Sequence, residues 1–316
     1  MEPARLSPLS TEPVVEDARG CVACIGVFDG VHRGHQSLIS LARTTADALG
    51  LPLVAITFDP HPMSVVRAGA APTTLASLAH RVELLRAAGA DEVDVLEFDR
   101  DLASMDPQEF VHRVLVDRLH VRAVVVGQDF RFGHRAAGTF ETLEQEGDRH
   151  GFRAIAAPLV GDGTERWSST ATRRLIEAGD VEQAAVALGR PYRLDGIVVH
   201  GDHRGRELGY PTANLDWASG PVVPADGVYA GWLVRGGERL PAAISVGTNP
   251  TFDGADRRVE AYVLDRDDLD LYGQAVGNEF VARIRGQERF DSIEALVDQM
   301  ARDVDQVRTV LGEPGR

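Results

Sequence analysis

Lysine is absent from the chain of 316 residues. All 33 basic residues are therefore arginines, and 48 acidic residues bring the formal net charge to -15. The absence of lysine excludes the P-loop motif, which ends in Gly-Lys-Ser/Thr, and the β3 lysine of protein kinases. The acidic balance argues against general binding to nucleic-acid backbones, because such binding needs a basic surface. Any phosphate group that binds here must contact arginines, backbone amides, histidines or a metal ion.

Long apolar runs are absent as well. No stretch approaches the roughly 18 apolar residues of a membrane-spanning helix. The N-terminus, MEPARLSPLSTEPVVED, lacks the basic start and the apolar centre of a signal peptide. We therefore expect a cytoplasmic protein with neither a membrane nor nucleic acid among its partners.

Cysteine is scarce, and Cys21 and Cys24 form a lone CxxC inside CVACIGVF. Zinc would need two further ligands, and a redox pair normally lies at a strand-to-helix turn rather than within a strand. We interpret both residues as small members of a buried strand.

The pattern of apolar segments differs between the two halves of the chain. In the first, the short apolar runs CVACIGVF, LPLVAITF, EVDVLEF and VRAVVVG alternate with helical patterns such as DPQEFVHRVLVDRL, which is typical of a parallel sheet with crossover helices. Between the halves, SSTATRRLIEAGDVEQAAVALGRPY predicts one helical stretch that ends at Gly189. Beyond about Gly189, strand follows strand with turn residues between them, which predicts a small antiparallel β-barrel. The expected fold is a Rossmann-like α/β domain over residues 1–186, followed by a β-barrel domain with a C-terminal helix over residues 187–316.

Two local signals support the organisation of the second half. Gly236 and Gly237 stand between extended apolar stretches and predict a hairpin turn. Asp291 and Glu294 form a plausible capping box, and apolar residues then repeat at helical spacing up to Leu311. We expect this final helix to pack against the barrel.

Two histidines follow the first apolar run, in GVFDGVHRGHQSLI. The run should end at Phe28, and a helix should begin near Gly34. A strand, a glycine turn and a helix N-terminus together form an anion site, because the first helical N–H groups lack intrahelical partners. His32 and His35 would frame that site and donate to a phosphate without carrying a full charge. A pair of surface histidines at a helix start is an equally open interpretation of so short a pattern.

A second candidate site lies in the barrel half, in GDHRGRELGYPTANL. Its glycines allow the backbone to wrap around phosphates, and Thr212 and Asn214 follow two residues apart. In an extended segment their hydroxyl and amide oxygens point to the same side. Two neutral oxygen ligands together with nucleotide phosphates suit Mg²⁺. The alternative is a turn followed by an ordinary strand.

The motifs of both halves together resemble those of the bacterial bifunctional riboflavin kinase/FMN adenylyltransferases, also called FAD synthetases. The resemblance runs over nearly the whole chain from about Cys21. It rests on GVFDGVHRGH, TFDPHP, VVGQDFRFG and SSTATR in the first half, and on PTAN, GVYAG, SVGTNPTF and VEAY with DLYG in the second. It implies that the barrel half phosphorylates riboflavin with ATP to FMN. The α/β half would then be a nucleotidyltransferase domain that moves AMP from a second ATP onto FMN, giving FAD and pyrophosphate, and both reactions would need Mg²⁺.

The resemblance also implies roles for individual residues. Glu260 would accept the proton of the riboflavin 5′-hydroxyl, while Thr212 and Asn214 would hold the metal and the nucleotide. His32, His35 and Arg173 would be the catalytic residues of adenylyl transfer, with Ser169, Thr170 and Arg173 closing over the ATP phosphates from the opposite side. The residues expected to bind ATP are Gly26, Phe28, Asp29, Gly30, His32, Gly34, His35, Ser169, Thr170, Arg173, Gly201, Gly205 and Gly209. The residues expected to bind the flavin are Asp59, His61, Pro62, Asp129, Phe130, Arg131 and Arg285.

Alternatives remain at several of these positions. TFDPHP lies at the carboxyl edge of the sheet, where such folds bind ligands, but its prolines can also serve only a rigid turn. In GQDFRFG, Asp129 and Arg131 can charge-pair with a flavin phosphate, whereas Phe130 and Phe132 can instead form a loop plug. Arg285 can also be an exposed strand arginine, and Glu260, taken without its neighbouring motifs, an outward-facing strand carboxylate.

Two other functions are open to the whole chain. In one, a single module is active alone, since Thr172 stands where the family usually has an aliphatic residue before the arginine of SSTATR. In the other, the chain is a flavin-binding regulator without turnover, although a regulator needs neither Glu260 nor paired histidines. No sequence feature predicts an oligomeric state.

Overall fold

The computed structural model of the protein consists of two compact units. The first unit contains a parallel sheet with helices, and the second contains a closed antiparallel barrel and the C-terminal helix, which confirms the predicted fold class. The second unit comprises Thr73–Ser77 together with Ser169–Arg316. The structure describes residues 19–67, 69, 71–161, 163, 166–201, 208–217, 220–248 and 257–312.

The sheet of the first unit has five parallel strands in the order β3-β2-β1-β4-β5. Four of them coincide with predicted strands. The fifth, β5, was not predicted, because it is a short edge strand whose side chains are mostly exposed or half-buried and show little alternation. The strands are β1 (Cys21–Ile25), β2 (Leu53–Asp59), β3 (Glu92–Glu97), β4 (Val121–Gly127) and β5 (Arg153–Ala157).

Helices connect these strands. The segment after Asp106, predicted as one helix, begins as an α-helix and continues as a π-helix over Val111–Arg118. The α-helices are α1 (Arg33–Leu49), α2 (Pro62–Val66), α3 (Leu78–Ala87), α4 (Arg100–Ser104), α5 (Pro107–Phe110) and α6 (Phe140–His150).

Strand β1 lies at the centre of the sheet, and all five of its residues are buried. A central parallel strand is covered on both faces, which explains its continuous apolar sequence. Burial raises the pKa of the thiols of Cys21 and Cys24 to about 12, so both remain protonated and unreactive. The prediction that both cysteines belong to a buried strand is confirmed.

The barrel of the second unit has the strand order β10-β7-β6-β11-β8-β9 and is closed by pairing of β10 with β9. Gly236 and Gly237 have φ values of 54° and 89° and connect Arg235 to its partner Glu238, so the predicted hairpin is confirmed. The strands are β6 (Tyr192–Val199), β7 (Thr212–Asp216), β8 (Gly227–Arg235), β9 (Glu238–Thr248), β10 (Arg257–Val263) and β11 (Ala275–Arg285).

Two short helices precede the barrel, α7 (Ser169–Ala178) and α8 (Val181–Leu188). Gly179, with φ of 80°, separates them within what the sequence predicted as one helical stretch. Their apolar side chains belong to the same hydrophobic core as the barrel interior, and so does Leu75 of the strap Thr73–Ser77. The compact unit therefore begins before residue 187, and the domain boundary at that residue stays a prediction about independent folding.

The final helix, α9 (Ile293–Leu311), packs on the barrel through a small cluster that contains Ala230 and Val307. Its N-cap is Ser292, whose side chain accepts a hydrogen bond from the N–H of Ala295 at 3.1 Å. The predicted capping box with Asp291 was wrong by one residue, because the serine hydroxyl occupies the cap. No helix in the described part of the chain is long and apolar enough to cross a membrane.

Candidate active sites

The predicted nucleotide site follows the carboxyl end of β1. The chain passes through a tight turn over Asp29–Val31 and enters α1 with His32 as its N-cap. The Nδ1 atom of His32 accepts the backbone N–H of His35 at 3.4 Å. The first histidine is therefore buried and fixed by the start of the helix, where unpaired N–H groups and the helix dipole favour an anion.

The two histidines form a stacked pair. Their ring centroids are 3.7 Å apart at an angle of 20°, and the ring of Phe28 meets His35 edge-on at 5.3 Å. The Nδ1 atom of His35 is buried and has no hydrogen-bond partner among the described residues. Burial, and then the nearby charges of His32 and Arg166, hold the pKa of His35 well below its usual value. His35 is thus a neutral imidazole with an unsatisfied ring nitrogen.

The close contacts around Gly34 explain why a glycine stands between the two histidines. A Cβ at this position would lie 3.0 Å from the ring of His32 and 3.3 Å from the carbonyl oxygen of Trp167. Any side chain would therefore push against the stacked ring. The glycine of the HRGH pattern keeps the ring in place at the helix start.

The predicted flavin-binding loop follows β2. Asp59 ends the strand, and its Oδ1 accepts a hydrogen bond from Nη2 of Arg81 at 3.2 Å. His61 is the N-cap of α2, where its Nδ1 accepts the N–H of Met63 at 3.1 Å, and Pro62 occupies the first turn. The loop is therefore held by side-chain bonds at both of its ends and not by its prolines alone.

The loop after β4 contains the other predicted flavin contacts. Asp129 forms an ion pair with Arg166 at 2.9 Å, and Arg131 is exposed. Phe130 stacks on the buried Phe132 with centroids 5.4 Å apart, which is the arrangement expected of a loop plug. Charge at this loop thus comes from the Asp129–Arg166 pair and from the exposed Arg131, while the aromatic residues stabilise the loop itself.

The SSTATR motif opens α7. Nη2 of Arg173 donates to Oγ1 of Thr170 at 3.5 Å, and Thr172 is fully buried. Burial explains why an aliphatic residue suits the position of Thr172. Ser169 and Arg173 belong to the second compact unit and the histidine pair to the first, and their predicted closure over the ATP phosphates stays a prediction.

The candidate kinase site lies on two paired strands of the barrel. Antiparallel pairing places Asn214 of β7 directly opposite Glu260 of β10, and Thr212 opposite Tyr262. Oγ1 of Thr212 donates to Oε2 of Glu260 at 3.3 Å. Ala213, between the two polar residues, points into the core. A hydroxyl, an amide and a carboxylate therefore converge on the outer face of the barrel wall.

Gly201 packs against this group. A Cβ at Gly201 would lie 2.2 Å from Nδ2 of Asn214, so only glycine fits beside the amide. Gly209, the other described glycine of this loop, has φ of 85° and faces open space. The predicted ATP contact Gly205 lies outside the described residues.

Next to these polar groups is a cavity of about 300 Å³ between the barrel wall and α9. Its lining is mainly apolar, with the polar groups of Thr212 and Glu260 at one part of the wall, as is common for sites that bind an aromatic ligand. The described side chains that line it include Leu208, Tyr210, Thr212, Ser245, Glu260, Tyr262, Arg285, Gln287, Phe290, Met300 and Val304.

Arg285 lines the same cavity but is held by α9. Its Nη2 donates to Oδ2 of Asp303 at 2.8 Å and its Nε to Oδ1 at 2.9 Å. Gln299 donates to the same carboxylate at 2.8 Å. The predicted flavin contact thus has a structural role in joining the helix to β11, and its remaining guanidinium nitrogen donates to the carbonyl oxygen of Gly286 at 2.9 Å.

Two of these residues, Arg81 and Asp303, were not predicted from the sequence. Asp303 offered a signal, because it interrupts the apolar face of α9 next to Val304, and a carboxylate there indicates a buried partner. Arg81 offered none, since charged residues on a helix such as α3 usually face solvent.

Two family models match the chain in succession. The model described as FAD synthetase matches residues 14–171, and the model described as riboflavin kinase matches residues 188–311. The first covers the stacked histidines and both loops of the parallel-sheet unit. The second covers the Thr212, Asn214 and Glu260 group.

Curated relatives carry both functions in one chain. The bifunctional riboflavin kinase/FMN adenylyltransferase of Escherichia coli K12 is 37% identical over 294 residues, which is 93% of each chain. That of Pseudomonas fluorescens is 39% identical over 293 residues, 92% of this chain and 93% of its own. A crystal structure from Streptococcus pneumoniae, described as a macrolide-efflux protein, has a TM-score of 0.84 at 34% identity and covers 93% of this chain and 96% of its own. The chain therefore belongs to the family of bifunctional riboflavin kinases/FMN adenylyltransferases.

Proposed function

We propose that the polar group on β7 and β10 is where this bifunctional enzyme phosphorylates riboflavin, and that the loop after β1 is where it adenylylates FMN. Its substrates are ATP, riboflavin and FMN, and its products include FMN and FAD. One observation supports the kinase site above all others. Glu260 lies opposite Asn214, accepts a hydrogen bond from Thr212, and lines an apolar cavity large enough for a flavin ring.

In the proposed kinase reaction, the cavity holds the isoalloxazine ring and directs the ribityl 5′-hydroxyl towards Glu260. The carboxylate accepts the hydroxyl proton as the oxygen attacks the γ-phosphorus of ATP. The bond between that phosphorus and the β,γ-bridging oxygen breaks, and ADP leaves with its electron pair. General-base catalysis of this kind contributes roughly 10²–10⁴-fold to the rate. The hydrogen bond from Thr212 orients the carboxylate before the substrates bind.

The oxygen atoms at this site fit the metal that these ATP-dependent families generally use. Hydroxyl, amide and carboxylate oxygens are the donors that Mg²⁺ prefers, and it is usually bound by few protein ligands together with nucleotide phosphates. Thr212 and Asn214 would hold it, and when bound it would neutralise phosphate charge. Because Gly201 has no side chain, the Asn214 amide has room to take this position.

In the proposed adenylyl transfer, His32 and His35 bind the ATP phosphates at the start of α1. An oxygen of the FMN phosphate attacks the α-phosphorus, and pyrophosphate leaves. Because His35 is neutral when free, it donates a hydrogen bond without a strongly solvated charge and can take up positive character as the bridging oxygen becomes negative. Asp59 ends the neighbouring strand β2 and His61 follows it at the start of α2, and we place the flavin at this strand end.

Family membership across both halves favours turnover at both sites over a single active module or a flavin-binding regulator. The test is to incubate the purified protein with riboflavin, ATP and Mg²⁺ and to separate the flavins by chromatography. We expect FMN to form first and FAD to follow, and supplied FMN to be converted to FAD directly. Replacing Mg²⁺ with a chelator should stop both reactions. Flavin binding without any product would instead support the regulator. A cytoplasmic location and the absence of nucleic acid among the partners stay predictions of the sequence.

A further inference from the structure

Arg81 is a buried cation at the carboxyl ends of the strands of the parallel sheet. The residue lies on α3 and is only 5% exposed. Its Nη1 atom donates to the carbonyl oxygens of Val27 at 3.1 Å and Phe58 at 3.0 Å. Its Nη2 atom donates to the carboxylate of Asp59 at 3.2 Å. One guanidinium therefore bonds to the carboxyl ends of two adjacent strands.

These two strand ends lead into two different loops. Val27 precedes the nucleotide loop that carries His32 and His35, and Phe58 and Asp59 begin the flavin loop. Apart from the strand pairing itself, a second bond joins the strand ends, since Oγ1 of Thr57 donates to the same carbonyl oxygen of Val27 at 3.0 Å.

Burying a cation is costly, which indicates that the Arg81 side chain does more than fill space at this position. Burial lowers the pKa of Arg81, and the charges of Asp59 and Asp29 offset that effect. A buried charge is costly unless its bonds are satisfied, and a neutral side chain of similar size is often at least as stabilising. Both compensating carboxylates stand on the two substrate loops, one on each, so the charge also links the loops electrostatically.

We propose that Arg81 is a positioning residue for adenylyl transfer, which sets the distance between the nucleotide loop and the flavin loop. The proposal rests on the placement of FMN adenylylation at the ends of β1 and β2. In that reaction a bond forms between an FMN phosphate oxygen and the α-phosphorus of ATP, and the bond to pyrophosphate breaks with its electron pair. Arg81 supplies no proton and does not contact the reacting atoms.

A purely structural role makes a different prediction, and Arg118 provides the matched control. Arg118 is a second buried arginine in the same unit, 3% exposed, and it pairs with Asp94 at 3.1 Å. Arg118 lies on the π-helix and its partner Asp94 on β3, and neither residue belongs to the two substrate loops. Replacing either arginine removes a buried guanidinium from the same fold, but among the described residues it is Arg81 whose hydrogen bonds reach the ends of both β1 and β2.

The test uses Arg81→Lys, Arg81→Ala and Arg118→Lys in the full chain, assayed well below their unfolding temperatures. Lysine keeps the charge but has one nitrogen in place of the two that bond separately to the carbonyls and to the carboxylate. We expect Arg81→Lys to lower kcat of FMN adenylylation by roughly 10- to 100-fold, as for small misplacements of reacting groups. The KM values for ATP and FMN should change by less than about threefold, because each loop still binds its own substrate. Arg81→Ala should lose more, and riboflavin phosphorylation by the same preparations should be unchanged.

Arg118→Lys should reduce thermal stability and leave kcat of adenylylation per folded molecule unchanged. The proposal is overturned if Arg81→Lys retains the kcat of the unmodified enzyme, or if Arg118→Lys reduces kcat by the same factor. His32→Ala, measured in parallel, separates this failure from failure of the proposed site. If His32→Ala retains adenylylation, the site itself is misplaced; if it abolishes adenylylation while Arg81→Lys does not, only the role of Arg81 is wrong.

Discussion

Glu260 and Asn214 face each other across the antiparallel pair of β10 and β7. The pairing brings residues 46 positions apart in sequence side by side, and Thr212 completes the group through its bond to the carboxylate. Strand register therefore assembles this site, and no loop needs to move for its three polar side chains to meet. Because this group lies in the second unit and the histidine pair in the first, a single substitution should affect one reaction and spare the other.

Glu260→Gln should reduce riboflavin phosphorylation by roughly 10²-fold or more, because the amide keeps the size of the side chain but cannot accept a proton at neutral pH. Riboflavin affinity should change only modestly, and conversion of FMN to FAD should continue in the other unit. Parallel assays started with riboflavin and with FMN measure both activities on one preparation.

The matched control is Glu238→Gln, an exposed carboxylate on β9 that pairs with Arg235. It should leave both reactions unchanged. Undiminished phosphorylation by Glu260→Gln would remove this carboxylate from the mechanism.

Gly201→Ala should impair the kinase through the amide of Asn214. The new Cβ would lie 2.2 Å from Nδ2, so either the amide or the backbone at residue 201 must move. We expect a loss of about tenfold or more in kcat/KM for MgATP, since misplacing one group at a reacting site by about 1 Å has effects up to about 10²-fold. Steady-state kinetics at varied MgATP concentrations measure the effect.

Gly286→Ala is the control for this substitution, because a Cβ there approaches its nearest neighbour only at 3.9 Å. It should leave the kinetics for MgATP close to those of the unmodified protein. An unaltered kcat/KM in Gly201→Ala would mean that the position of the Asn214 amide does not matter for nucleotide use.

Much of the fold could be predicted because its signals are local. Alternating apolar runs and helical patterns predicted four of the five parallel strands, and Gly236-Gly237 predicted a hairpin at the observed position. The cap of α9 was displaced by one residue, because Asp291 and Ser292 are adjacent and both are good capping residues. Only tertiary contacts decide which of them occupies the cap.

The candidate sites were predictable to different extents. The joint placement of His32 and His35 at the start of α1 was predicted from their spacing, whereas the stacking of their rings was not. The contribution of Arg81 was not predictable, because its partners lie at the ends of two strands and only the folded sheet brings them together. The place of Leu75 in the core of the barrel unit was missed for a similar reason, since no local pattern indicates which unit a connecting segment joins.

Stability of the first unit should fall at acidic pH because of His35. Its pKa in the folded protein is well below the usual value, while in the unfolded chain it titrates near 6.5. The unfolded state therefore binds more protons as the pH falls below about 6.5, and the free energy of unfolding decreases. Above that pH His35 is neutral in both the folded and the unfolded state, so it no longer lowers the free energy of unfolding. The slope from one such group cannot exceed about 1.4 kcal/mol per pH unit.

The measurement is the unfolding midpoint between pH 7.5 and 5.5 for the unmodified protein, His35→Gln and the exposed-histidine control His134→Gln. His35→Gln should show a shallower pH dependence, and His134→Gln should match the unmodified protein. Parallel pH profiles in all three would mean that His35 titrates normally in the folded state.

The helices α7 and α8 should stabilise the barrel in isolation. Val181 and Ile176 are fully buried in the barrel's hydrophobic core. A fragment of residues 169–316 keeps both, whereas residues 187–316 lose them, and burying one such side chain contributes about 1.5–3 kcal/mol. Both fragments should phosphorylate riboflavin, but the longer one should unfold at higher denaturant concentration. Equal midpoints would show that the shorter boundary is sufficient.

Leu75 should stabilise the barrel unit from outside the sequence of the kinase half. Its side chain is 2% exposed in the barrel's core, and the strap is fixed by backbone bonds from Thr74 N–H to the carbonyl oxygen of Gly220 and from Val222 N–H to the carbonyl oxygen of Thr74. Leu75→Ala in the full chain leaves a cavity and should lower the free energy of unfolding by about 2–5 kcal/mol. Loss of riboflavin kinase activity on heating reports on this unit, and it should occur at a lower temperature in Leu75→Ala than in the control Leu49→Ala, whose side chain is 47% exposed on α1. Since the strap is supplied by the first half of the chain, a kinase that resists heating equally in both variants would show that the barrel does not depend on it.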